Sequence, residues 1–282
     1  MRNHGTRFEL VRMQPHDHIG WVFAGRDQFA ALAGPFLAEG VALGQRLMYV
    51  AEDPEPEQLA GLVDVVDPDL LQVASIAEVY GASGLVDAPR QRAVFGEALA
   101  QALTEGYRGI RVAADNTPLV SDTERFAAWL RWEITADRFM AENPVTGLCA
   151  FDRERVDVDR LRHLATLHPL FSAASFTPQF RLFADGNALC VEGEMDCFAV
   201  DQLWLALEHL PSKTEVVIDL AKTTFLSHRV LSGLGRLADA NVDVTICGGP
   251  VPIREFRAVV ESPKEHLHFV DTWPNNDILP GI

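Results

Sequence analysis

Ser227-His228-Arg229 is a place in this 282-residue chain where residue types and spacing could do chemistry. A strand-forming run, Val216 to Ile218, ends at Asp219, and the apolar pair Phe225-Leu226 leads into a helical pattern for which Ser227 is the N-cap candidate. A helix N-terminus favours an added phosphate, so Ser227 is a candidate phosphorylation site as well as a cap. His228 and Arg229 make the turn basic and suit it to an acidic protein surface. With Asp219 and Leu231, these three residues form the candidate docking surface.

The other reactive side chains point away from catalysis. His16 and His18 are one residue apart, as are His266 and His268, so on a strand each pair would share a face. Nothing brings a third ligand into register, and no metal site is expected. Cys149, Cys190, Cys197 and Cys247 show no Cys-x-x-Cys spacing; all but Cys197 lie in apolar strand-like runs and read as core thiols. Asp152, Glu154, Asp157 and Asp159 alternate with arginines, as a solvated face would. There is no Gly-x-Ser-x-Gly elbow, no His-Glu-x-x-His helix and no glycosidase-like carboxylate pair, so neither an enzyme nor a cofactor is expected.

Composition narrows the partners. With 24 basic and 40 acidic side chains the net charge is −16, which disfavours nucleic acid and anionic membrane surfaces. No apolar run approaches the ~20 residues needed to span a bilayer, and the first residues lack the apolar stretch of a signal peptide, so a cytoplasmic location is expected.

The elements that must position these residues fall into two groups, each long enough to bury a core. Apolar runs at 19–23, 46–50, 71–75, 109–113 and 147–151 alternate with helical patterns, the signature of a parallel sheet flanked by helices. The helix at 28–39 should stop at Gly40, with Asp27 as its N-cap and Pro35 inside it; another runs from Arg90 to Gly106. Ser121 and Glu124 form a capping box for a helix to about Ala141, with Phe126, Trp129, Leu130 and Ile134 as its buried stripe. After a connector around 171–178, strands are expected at 180–184, 188–192, 216–220, 242–247 and 268–270, and helices at 198–210, 227–240 and 253–260. This is a smaller mixed sheet, and Val230, Leu231, Leu234, Leu237 and Ala238 give its 227–240 helix a core face.

Two resemblances follow from these residues. Asp219-Leu220, Phe225-Leu226 and the polar turn after them, with Val191-Glu192-Gly193-Glu194-Met195-Asp196 as an upstream turn, resemble the STAS domain of anti-sigma-factor antagonists. That resemblance implies a STAS-like domain over 173–282 and a partner that is an anti-sigma factor or kinase-like regulator. The family's Asp-Ser-Ser/Thr-Gly is replaced here by Ser227, His228, Arg229 and Val230, so Arg229 stands where the phosphoacceptor would be.

The first group resembles the MEDS domain, a sensory module named for methanogens, methylotrophs and a dichloromethane-responsive regulator. The resemblance rests on His18-Ile19, Pro35-Phe36-Leu37, Glu39-Gly40, Gly44, Asn143-Pro144-Val145, Leu148-Cys149, Asp152-Arg153 and Leu167-His168-Pro169-Leu170. It implies a RecA-like sensory domain over 1–172. A phosphate loop needs glycines and a Lys-Ser/Thr pair after the first strand, whereas Ala24-Gly25-Arg26-Asp27-Gln28 offers one glycine and an acid. A small-molecule effector is therefore expected, with His18, Trp21, Phe23 and Asp115 as candidate contacts. The α/β chain reads as a non-enzymatic bacterial signalling regulator, possible as a homodimer, that couples a sensory domain to a docking domain without nucleic acid or membrane contact. The alternative is a nucleotide-binding protein or weak NTPase built on the RecA-like sheet.

Overall fold

The computed structural model describes residues 2–54, 66–172, 177–197, 199–210, 214–249 and 265–270. It divides into two compact units, Met1–Pro178 and Gln179–Ile282.

In the first unit seven parallel strands form one sheet. They are β1 (Gly5–Arg7), β2 (His18–Phe23), β3 (Arg46–Ala51), β4 (Leu71–Ser75), β5 (Ile110–Asp115), β6 (Val145–Asp152) and β7 (Leu170–Ser172), in the order β1-β7-β2-β6-β5-β3-β4. Every residue of β2, β5 and β6 is buried. Parallel strands covered by helices on both faces have no solvated side, which is why these segments read as near-continuous apolar runs, broken inside only by Arg111 and Thr146. Side chains alternate between two cores. Ile19, Trp21 and Phe23 pack with Phe29, Phe36 and Tyr49 on one face, while Val22, Cys149 and Phe151 pack with Phe95, Trp129 and Trp132 on the other.

Among the described residues the helices are α1 (Arg26–Ala42), α2 (Ile76–Tyr80), α3 (Ala88–Thr104), α4 (Thr123–Glu142) and α5 (Val158–Thr166). Three expected boundaries move. α1 begins after Gly25, not at an Asp27 cap, and runs through Gly40 to a C-cap at Leu43. Gly40 is a close-packing position rather than a stop: an added Cβ would come within 2.5 Å of the Leu47 side chain. The N-cap of α4 is Asp122, whose side chain accepts from Arg125 N–H, while Ser121 Oγ donates to the Pro118 carbonyl.

The face that α4 buries also differs from the expected stripe. Trp129 is in the core, but Phe126, Leu130 and Ile134 are only half-buried, and Trp132, Glu133, Ala136, Asp137, Phe139 and Met140 are buried instead. Two carboxylates thus enter the core. Asp152 is buried too: its Oδ1 accepts from the backbone N–H groups of Gly25 and Glu154, so it is not part of a solvated face.

The second unit is a five-stranded mixed sheet in the order β12-β11-β10-β9-β8, formed by β8 (Phe180–Asp185), β9 (Ala188–Met195), β10 (Glu215–Leu226), β11 (Asp243–Cys247) and β12 (Leu267–Val270). β8 and β9 are antiparallel and the remaining pairs parallel. The helices among its described residues are α6 (Val200–Glu208) and α7 (His228–Asp239). The expected break after Leu220 is absent, because β10 continues to Leu226 beside β9 with register shifts at Asp219/Lys222 and Thr223/Phe225. For the same reason Val191 to Met195 is strand rather than turn. The helix expected at 253–260 lies outside the described residues.

Candidate functional site

A cluster of polar side chains lies in the core of the first unit, between α4 and the sheet. His18 is the first residue of β2, and its parallel register places it beside Gly147 of β6, with Gly20 beside Cys149. Alternation sends His18 toward α4 and its neighbours Ile19, Trp21 and Phe23 to the opposite core. Glu133 and Asp137 are four residues apart on α4 and so share one face. His168 precedes β7. It packs over β2 where Gly20 leaves room, since a Cβ there would lie 2.6 Å from Phe171 and 2.9 Å from His168.

The two histidine rings are 4.4 Å apart between centroids. Glu133 Oε1 is 2.9 Å from His18 Nε2 and 2.7 Å from His168 Nε2, and Cys149 Sγ is 3.5 Å from His18 Nε2. On its other side, His18 Nδ1 is 3.0 Å from Asp137 Oδ1, which also takes Arg2 NH2 at 2.8 Å. His168 Nδ1 is 2.7 Å from the Leu164 carbonyl. A carbonyl only accepts, so Nδ1 of His168 carries its proton.

His18, Glu133 and His168 are fully buried, with side chains at 0% exposure. The close approach of Nε2 to Glu133 does not have hydrogen-bond direction: neither oxygen of Glu133, nor His168 Nε2, has a hydrogen-bond partner. We read these contacts as ionic rather than as oriented hydrogen bonds.

The electrostatics follow from crowding opposite charges away from water. Burial alone would raise Glu133, but His168 and His18 outweigh it and pull the carboxyl down to about 2. Burial alone would lower His168, and Glu133 outweighs it and lifts the imidazole to about 9. His18 is likewise raised, burial being overcome chiefly by Asp137, then Cys149 and Glu133. Asp137 is held below the usual carboxylate range because Arg2 and His18 overcome its burial. The cluster demands positive charge.

One ligand atom each from His18, Glu133, Cys149 and His168 lies within 4.8 Å of every other. Two imidazoles, a thiol and a carboxylate are the donor set of a borderline-soft divalent cation. A small apolar cavity adjoins them, lined by Trp132, Ala136, Phe139, Met140, Gly147 and Cys149 among others, with no charged side chain in its wall. Cys149 belongs to both.

The four sequence-derived effector contacts are not gathered together. Trp21 and Phe23 lie in the core opposite His18. Asp115 ends β5, where its Oδ1 accepts from Thr117 N–H. His18 opens β2 at its amino end, whereas ligand crevices of doubly wound sheets lie at carboxyl ends. His16 pairs with the Met140 carbonyl and not with His18's partners, and His266 meets Asp243 at 2.6 Å. Glu133, Asp137 and His168 were missed as site residues. The sequence signal for Glu133 and Asp137 is two carboxylates at helical spacing among Trp129, Trp132, Ala136 and Met140, and that for His168 is its place in Leu167-His168-Pro169-Leu170.

In the second unit Ser227 caps α7, its Oγ accepting from Arg229 N–H at 3.3 Å. Ser227 and Leu231 are buried, whereas His228 and Arg229 are exposed and Phe225 is 51% exposed. Asp219 Oδ1 accepts from Ala221 N–H. Among the described residues no helix is long and apolar enough to cross a membrane.

Comparison with the curated proteins finds no match. Residues 17–169, more than half of the chain, match the family model described as MEDS, the methanogen/methylotroph, DcmR sensory domain, and the chain therefore belongs to the MEDS family.

Proposed function

We propose that the chain is a signalling regulator in which the MEDS domain senses a small apolar molecule and the second unit passes the state to a protein partner. The observation that carries this is the apolar cavity whose wall includes Cys149, a member of the buried ionic cluster. An occupant there would press on Trp132, Ala136 and Met140 of α4 as well as on β6. It would favour whichever arrangement of α4 it fits better, and could shift the population only by that difference in affinity.

The docking part of the reading draws on exposed Phe225, His228 and Arg229 around the start of α7. An apolar side chain beside two basic ones suits an acidic protein surface, such as a STAS-type partner, an anti-sigma factor or kinase-like regulator, would present. Ser227 serves in this reading as a helix cap, and control by phosphorylation is not required. The nucleotide-binding alternative has little to draw on, because Asp152 Oδ1 already takes the Gly25 N–H at the start of α1, where a phosphate would need to be.

Thermal unfolding of the full chain with benzene, a halomethane or a short alcohol, against ATP with magnesium, tests the sensing half. A ligand at 100 times its Kd stabilises the folded state by about 2.7 kcal/mol. An apolar probe that raises Tm in the wild type but not in Ala136→Leu, which fills the cavity, supports the reading. Stabilisation by ATP-magnesium alone overturns it.

A further inference from the structure

We infer that His18, Glu133, Cys149 and His168 form a binding site for one borderline-soft divalent cation of the zinc type. This goes beyond the sensing proposal and stands whether or not the apolar cavity takes an effector.

Four observations converge. The ligand atoms lie within 4.8 Å of one another and come from four separate segments: β2, α4, β6 and the turn before β7. In a tetrahedral site with metal–nitrogen and metal–oxygen bonds near 2.0–2.1 Å, such atoms stand about 3.3 Å apart. The observed 2.7 and 2.9 Å need to open by only about half an ångström to admit the ion, the 3.5 Å between Cys149 Sγ and His18 Nε2 is already wide enough, and the wider pairs, none beyond 4.8 Å, draw in.

The outer nitrogen of each ring is already engaged. His168 gives its Nδ1–H to the Leu164 carbonyl, and His18 directs Nδ1 at Asp137, so each ring turns an Nε2 lone pair toward the cluster once its Nε2 proton leaves. Both Glu133 oxygens and His168 Nε2 are buried with no hydrogen-bond partner. A buried carboxylate is costly unless a cation neutralises it; in the metal-free site the two imidazoliums do so through Oε1, and a divalent ion would take their place.

The supporting shell has the form that metal sites use. A ligating histidine usually donates its other N–H to a carboxylate or carbonyl, which fixes the ring. Here Asp137 does this for His18 and is itself held by Arg2, while Leu164 does it for His168. With two neutral imidazoles, one thiolate and one carboxylate, a divalent ion makes the buried site electrically neutral. Loading is then a proton-for-metal exchange in which the Nε2 protons of the two imidazoliums and the Cys149 thiol proton leave to solvent, with no change of oxidation state. Two nitrogens, a sulfur and an oxygen exclude magnesium and calcium, which prefer oxygen shells. All four positions come from the chain, as in closed organising sites, and the ion would tie α4 to three segments of the sheet.

The test uses the full chain purified without immobilised metal. Metal content is measured by mass spectrometry, and chelator-stripped protein is then titrated with Co²⁺ as a spectroscopic stand-in for zinc. The expected result is one equivalent of metal, with intense visible bands of four-coordinate cobalt and a thiolate-to-cobalt band in the near ultraviolet. Zinc should abolish both. Cys149→Ser should lose the thiolate band, while Cys197→Ser, which changes an exposed thiol, should keep it. Circular dichroism shows whether each variant is folded, and a folded Glu133→Gln should bind at least tenfold more weakly. The inference is overturned if folded wild-type protein takes up less than about a tenth of an equivalent after reconstitution, or if the thiolate band survives Cys149→Ser. Neither result bears on whether apolar probes stabilise the stripped protein, so this failure is distinct from failure of the sensing proposal.

Discussion

Glu133 and Asp137, one helical turn apart on α4, address opposite sides of one ring: Glu133 Oε1 lies 2.9 Å from His18 Nε2 and Asp137 Oδ1 lies 3.0 Å from His18 Nδ1. The helix therefore holds the imidazole from both nitrogens. Glu133 shares the cluster with Cys149 and His168, whereas Asp137 faces Arg2 and sets how the ring is turned.

Asp137 should act as a positioning residue. Asp137→Asn keeps the shape but weakens the charge that orients His18 Nδ1, and outer partners of this kind are worth about 10–100-fold in metal affinity. Competition with a chromophoric chelator should show a loss in that range with the cobalt thiolate band still present. A purely structural role would lower Tm and leave the affinity unchanged. Asp137→Ala should be worse for folding, because it removes the carboxylate beside buried Arg2, and breaking a buried pair costs about 3–5 kcal/mol.

Gly20 should tolerate no side chain. Its backbone angles do not require glycine, but an added Cβ would meet Phe171 at 2.6 Å and the His168 ring at 2.9 Å. Gly20→Ala should destabilise by about 1–3 kcal/mol through overpacking, visible as a lower urea midpoint. Gly96, inside α3 with open space around its position, is the control: Gly96→Ala should be neutral or stabilise by about 0.5–1 kcal/mol.

These two glycines mark what sequence could and could not disclose. The buried strands of the first sheet are legible because β2, β3, β5 and β6 are mostly apolar, their polar residues except Arg111 and Thr146 standing at strand ends, and the mixed second sheet because its strands and helices alternate in short, punctuated runs. The α4 stripe was misread because Glu133 and Asp137 count as solvent-facing until His18, 119 residues from Asp137 along the chain, is known to sit opposite them. Cys149 was legible as buried but not as a ligand atom. Burial is written in local pattern, whereas four donors meeting at one point depend on the register of β2 against β6 and on where α4 crosses them.

Asp115 gives a pH-dependent signature outside the cluster. Burial raises its carboxyl above the ordinary 3.8, against hydrogen bonds from Thr117 that lower it. The ionised form is thus the less favoured one in the folded chain. That penalty is full above the folded value, fades as pH falls through it and is gone below 3.8. Asp115→Asn, which keeps the Oδ1 that accepts from Thr117 N–H, should raise Tm by a few degrees at pH 7. The gain should shrink steadily on acidification, and a gain independent of pH would assign it to something other than the carboxylate.

Ser227 and Arg229 should separate stability from docking. Ser227→Ala removes the oxygen that accepts Arg229 N–H and should cost about 1 kcal/mol, within the 0.5–2 range for such caps. Ser227→Asp restores an acceptor and adds negative charge at the helix N-terminus, so it should recover the loss. Arg229 is exposed with its side chain in no ion pair among the described residues, and Arg229→Ala should leave the urea midpoint unchanged. If the start of α7 docks on an acidic partner, that same substitution should weaken binding, with the wild-type affinity falling as salt rises and the variant's falling less steeply. Pull-down of a bound anti-sigma-type partner that is equally strong for wild type and Arg229→Ala at low salt would remove α7 from the docking surface.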